Sequence, residues 1–77
     1  MDYKQILTDI ARAIVDSPDQ VSVTESATEN EVKLVLTVAP EDTGMVIGRH
    51  GKIAKAIRSV MKVAAGGSGK HVIVEIE

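Results

Sequence analysis

The apolar residues of this chain switch between a helical and an extended period three times, and that succession limits the fold more than any other feature. Tyr3, Ile6, Leu7, Ile10, Ala13 and Ile14 recur at helical spacing, with Lys4, Gln5, Thr8, Asp9 and Arg12 between them, which predicts an amphipathic helix. Asp16-Ser17-Pro18 should end it, because proline lacks a backbone donor and restricts the residue before it. From Gln20 to Ser26, Val21 and Val23 alternate with Ser22 and Thr24. Glu31 to Ala39 repeats the alternation more strongly through Val32, Leu34, Leu36 and Val38. Both segments read as strands. The short polar link Ala27-Thr28-Glu29-Asn30 makes them an antiparallel hairpin.

Pro40-Glu41-Asp42-Thr43 starts a helix about one turn long, with acidic groups at its positive end and Gly48 as its stop. A longer helix follows Gly51 and runs to about Ala65. Its expected buried stripe is Ile53, Ile57, Val60, Met61 and Ala64, and Lys52, Lys55, Ser59 and Lys62 form another face. Gly66-Gly67-Ser68-Gly69 reads as a flexible connection. His71 to Glu77 alternates again, with Val72, Val74 and Ile76 on one side. The order is αββααβ, an α+β fold. Returning from the second strand to the third through two helices is a crossover, which joins parallel strands in one sheet. The expectation is a three-stranded mixed sheet with the second, most apolar strand central and the helices on one face. An open opposite face accounts for Lys33 and Thr37.

All of this must be accomplished by 77 residues, so a single domain over 1–77 is expected. Such a chain buries only about 60% of the surface it exposes when unfolded, and a partner subunit is one way to add stability. The sequence contains no cysteine, which excludes a disulfide framework and a cysteine-ligated zinc site and fits the cytoplasm. Neither a signal peptide nor an apolar stretch of membrane-spanning length is present. The formal charge of −2 is unevenly spread. Residues 1–43 hold three Lys/Arg against nine Asp/Glu, whereas residues 44–77 hold six against two. A cationic patch on an acidic protein attracts phosphate only locally, since screening in physiological salt acts over about 8 Å.

The basic half contains Gly48-Arg49-His50-Gly51, placed between the two consecutive helices. Glycine at both ends permits a left-handed turn and lets a sugar-phosphate backbone come close. Unpaired amides at the start of the next helix favour negative charge there, and Arg49 and Lys52 add mobile cations. The run Val46-Ile47-Gly48-Arg49-His50-Gly51-Lys52-Ile53-Ala54-Lys55-Ala56-Ile57-Arg58 resembles the Gly-x-x-Gly signature of KH domains. The element order is similar to their type II, prokaryotic arrangement. Over its whole length, including Val38-Ala39-Pro40-Glu41-Asp42, the chain resembles the single-KH proteins of bacteria of the KhpA, or YlqC, type.

That resemblance implies a cytoplasmic protein that binds single-stranded RNA and forms a homodimer, a heterodimer with KhpB, a Jag-type RNA-binding protein, or both. It also implies a part in controlling cell elongation and division. Gly48, Arg49, His50 and Gly51 become the backbone clamp, which in KH domains holds about four nucleotides. Val46, Ile47, Ile53 and Ala54 are expected to border or support a groove for bases, and Lys52 and Lys55 to contact phosphate. Two positions depart from the pattern: Ala54 stands where a large aliphatic residue is common, and Met45 where related proteins often carry a cation.

Other chemistries fit poorly. His50 and His71 have no carboxylate or thiol at metal-ligand spacing. The segment ending in Gly69-Lys70 lacks both the first glycine and the hydroxyl of a phosphate-binding P-loop, and Lys70 breaks a nucleophile elbow around Ser68. Neither an enzyme nor a cofactor is expected. Tyr3, the only aromatic residue, lies on a core-facing stripe, which excludes stacking platforms of the RRM and OB kinds. The rival reading is a protein-interaction subunit whose shape serves dimerisation, with RNA contact incidental.

Overall fold

The computed structural model describes residues 2–77. Helix α1 spans Tyr3–Ile14, strand β1 Ser22–Ala27, strand β2 Glu31–Thr37, helix α2 Thr43–Ile47, helix α3 Lys52–Ala64 and strand β3 His71–Ile76. Short 3₁₀ turns at Pro18–Gln20, Pro40–Asp42 and Arg49–Gly51 link them. Asp2 caps α1 by accepting the Gln5 N–H at 3.0 Å, which satisfies one of the donors a helix start leaves free.

The sheet has the order β1-β2-β3. β1 and β2 are antiparallel, with Val23 opposite Leu36, and β2 and β3 are parallel, with Leu34 opposite Val74. This is the mixed sheet with a central second strand that the αββααβ order requires. Val32, Leu34, Leu36 and Val74 join Leu7, Ala11, Val46, Ile57 and Met61 in one apolar core. The opposite face carries Lys33, Thr37 and Glu75, and Lys33 Nζ lies 3.4 Å from Glu75 Oε1 in an exposed ion pair of little energetic weight. Glu25 shares the core-side face with Leu34 but stays exposed on the outer strand, a charge that discourages pairing with another chain.

Three details differ from the sequence expectation. The buried face of α1 includes Ala11, while Ala13 is exposed. On α3 the buried residues are Ala54, Ile57 and Met61, followed by Ala65, whereas Ile53 and Val60 are 38% and 50% exposed. The apolar arc of α3 is wider than its contact: Ala54, Ile57, Met61 and Ala65 meet the core, and Ile53 and Val60 stay at its margin. Asp42 also departs from its expected role. It makes no helix-capping bond; buried at 1% exposure, it accepts the Ser17 N–H on Oδ2 at 2.9 Å. The carboxylate thereby ties the turn after α1 to the segment entering α2, a link 25 residues apart in sequence.

Candidate nucleic-acid interface

α2 presents Val46 to the core with no exposure and leaves Met45 and Ile47 38% and 39% exposed. Its last turn closes when the Gly48 N–H donates to the Gly44 carbonyl at 2.9 Å. Gly48 then adopts φ 76, ψ 172, a region essentially reserved for glycine. A side chain there would also run into Ile53: a Cβ would lie 2.9 Å from both the Ile53 backbone nitrogen and its Cβ, and nearer still to Cγ1. Gly48 is therefore required twice, by its dihedral angles and by its packing against the first turn of α3.

After Arg49 the backbone turns in the left-handed sense for two residues. His50 has φ 57, ψ 24 and Gly51 φ 74, ψ 15. Histidine is among the residues that enter this region most readily. The Gly51 N–H returns to the Gly48 carbonyl at 3.2 Å, and the Lys52 N–H to that of Arg49. Among the described residues no protein acceptor takes the N–H of Arg49 or His50. Both side chains are exposed, as are those of Lys52 and Lys55. No Cβ-sized obstruction lies within 4 Å of Gly51, so the loop can be approached closely from that side.

The unpaired amides of Arg49 and His50, followed by the left-handed turn at His50 and Gly51, form a concavity suited to an anion, and the start of α3 adds a favourable dipole. Arg49, Lys52 and Lys55 bring cations to the same corner, and none has a carboxylate partner among the described residues. Ile47 and Ile53 form a half-exposed apolar shelf beside Gly48, able to receive the flat face of a base. Val46 and Ala54, at 0% and 5% exposure, are buried and offer no surface to a ligand. The ten residues expected from sequence thus lie in one continuous stretch around the loop, eight at the surface and two beneath.

One cluster was set aside at the sequence level. Lys62 reads as a solvated helix flank, and the glycine-rich connection reads as flexible. In space both border a cavity of about 450 Å³ together with Arg58, Lys70 and His71. No sequence spacing signals it, because α3 and β3 meet there only after the chain has turned back. Among the described residues there is no group of three or more His, Cys, Asp or Glu placed to hold a metal ion, and no helix long and apolar enough to cross a membrane.

Comparison with known proteins places this arrangement. The KhpA/KhpB KH-domain family model matches residues 4–76. The RNA-binding protein KhpA of Clostridium acetobutylicum is 55% identical over 73 residues, covering 95% of this chain and 97% of that protein. The RNA-binding protein KhpA of Clostridium perfringens is 49% identical with the same coverage. The RNA-binding protein KhpA of Treponema pallidum is 44% identical over 95% of this chain and 91% of its own.

Proposed function

The chain belongs to the KhpA/KhpB family of KH domains, and on that premise we propose that it binds single-stranded RNA, with residues 1–77 acting as one KH unit. Gly48, Arg49, His50 and Gly51 clamp the sugar-phosphate backbone. The observation that carries this reading is the pair of unpaired amides at Arg49 and His50, held open by the left-handed turn and flanked by unpartnered cations. Lys52 and Lys55 extend the phosphate contacts along α3, Ile47 and Ile53 accept bases, and Val46 and Ala54 fix the shelf from below. The role proposed is binding, in keeping with relatives that are RNA-binding proteins.

Binding by one such corner is weak and broad, and pairing two corners raises apparent affinity. A specific feature favours association with a second copy of this chain. Ala56, Val60 and Val63 follow one another at spacings of four and three residues on α3, beyond the base shelf, and Val60 and Val63 are 50% and 81% exposed. Lys55, Arg58 and Lys62 lie on the other flank of α3, which leaves the exposed Val60 and Val63 end of the stripe free of their charge. A KhpB, Jag-type subunit is the alternative occupant, and the biological setting is RNA regulation in the cytoplasm tied to cell elongation and division. The same stripe supports the second reading, a protein-interaction subunit.

The double substitution Arg49→Asp and His50→Asp separates the two readings. It sets two carboxylates at the phosphate site without touching the core. The expected result is loss of RNA crosslinking in cells with folding and oligomeric mass retained. Crosslinking equal to that of the unmodified protein would remove the loop from the binding surface. An unmodified protein that crosslinks no RNA would favour the interaction subunit.

A further inference from the structure

The two residues between the glycines of the loop are not alike. Arg49 keeps a negative φ, whereas His50, at φ 57 and ψ 24, is the one non-glycine residue with a positive φ among the described residues. A glycine takes such angles freely; a residue with a Cβ takes them at a cost. An outlier of this kind points to a use for the side chain it carries. No protein contact supplies that use. The imidazole is exposed, and among the described residues it has neither a hydrogen-bond partner nor an ion pair.

The charges around the ring are all of one sign. The elements packed against this turn are α2 and α3. Helix α2, Thr43–Ile47, contains no titratable group. Helix α3 brings Lys52 and Lys55 in its first turns, and Arg49 precedes His50 within the loop. These three side chains stay charged throughout the neutral range, and no carboxylate lies on the loop, on α2 or on α3. Histidine alone among the side chains ordinarily changes its charge between about pH 5 and 8. The N–H groups of Arg49 and His50 have no protein acceptor, so a phosphate held by these two amides comes within reach of the ring of the same residue.

We propose that strand binding at the loop is coupled to His50, whose ring takes up a proton from solvent as the phosphate docks. The proposal rests on the loop reading and assigns that site a response to pH. A phosphate within reach favours the charged ring, so the complex holds more proton than the separated protein and strand. Binding is therefore tightest below the range in which imidazole loses its proton, and it weakens as the pH rises through that range. The neutral ring offers phosphate one hydrogen bond, and the imidazolium adds a charge to it. Arg49, Lys52 and Lys55 set a constant attraction, and His50 adjusts it.

Anisotropy titrations with a short oligouridylate lacking a terminal phosphate, at about pH 6 and about pH 8 and equal ionic strength, test the coupling, because such a strand keeps its charge over that range. The unmodified protein is expected to bind about fivefold more tightly at the lower pH. Its log-log salt slope there should be steeper by up to about 0.7, the share of one phosphate. His50→Gln and His50→Lys should each lose the pH dependence, the first because it never carries a charge and the second because it never sheds one. At the higher pH the lysine variant should bind more tightly than the glutamine variant. The other histidine, His71, pairs in register with Glu31 at the start of β3, and His71→Gln should keep the dependence. Circular dichroism at both pH values checks that each variant is folded. A His50→Gln variant that keeps the fivefold ratio would overturn the proposal, and so would an unmodified protein that binds equally at both pH values; either result leaves the loop reading standing. An unmodified protein that binds at neither pH would remove the loop reading and the coupling together.

Discussion

Gly48 and Gly51 look equivalent in the sequence, yet replacing each with alanine should have quite different consequences. At Gly48 the backbone angles φ 76 and ψ 172 cost a non-glycine residue about 1–3 kcal/mol. The new Cβ would also sit 2.9 Å from both the nitrogen and the Cβ of Ile53. A rotamer change can move Cγ1 of Ile53 away, but the nitrogen and Cβ belong to the first turn of α3 and move only with the helix. Overpacking of this kind adds about 1–3 kcal/mol, for a total of about 2–6. At Gly51, φ 74 and ψ 15 lie in the ordinary left-handed region and nothing stands within 4 Å, so the cost is about 1–2 kcal/mol. A chain of this size is stable by about 4–12 kcal/mol, so Gly48→Ala removes a large part of the total and Gly51→Ala a small part. Urea denaturation followed by circular dichroism measures both, with the slope checked for a common unfolded state. Ile53→Ala should not rescue Gly48→Ala, because the nitrogen and Cβ remain. Equal losses at the two glycines, or a larger loss at Gly51, would refute the packing of Gly48 against α3.

Three further outcomes follow from the same geometry. Asp42→Ala should destabilise the fold by about 1.5–3 kcal/mol, since the Ser17 N–H loses a charged acceptor; Asp42→Asn keeps an acceptor oxygen and should cost less in the same urea titration. Binding of a short single strand by the loop should weaken with a log-log salt slope of about −1.5 to −3, the signature of two to four neutralised phosphates, measured by anisotropy over a salt series. Val60→Asp with Val63→Asp places charge on the exposed stripe of α3 and should reduce any dimer to monomer mass in analytical ultracentrifugation, with the helix content unchanged.

Much of this structure is legible in the chain because its elements announce themselves by period. Alternation at Val21–Val23, Val32–Val38 and Val72–Ile76, between helical spacings, fixed the order and placed β2 at the centre. The loop was equally legible, since two glycines three apart between helices leave few alternatives for the backbone. Orientation within an element was harder to read. Ile53 and Val60 lie on the same broad apolar arc as Ala54, Ile57, Met61 and Ala64, and periodicity alone does not say which half of the arc meets the core. Ala54, Ile57, Met61 and Ala65 are the half that does, and Ile53 and Val60 are left at the margin. Asp42 and the cavity at Arg58 depend on partners 25 and 16 residues away in sequence, and local spacing carries no information about either meeting.

The central claim is that the corner at Gly48–Gly51 receives the strand, and amide chemical-shift mapping during titration with a short oligouridylate tests it most directly. The account predicts the largest changes at Arg49, His50, Gly51 and Lys52, with smaller ones at Ile47 and Ile53. Changes confined to α1 or to the open face of the sheet around Lys33 and Glu75, with the loop amides unmoved, would contradict it.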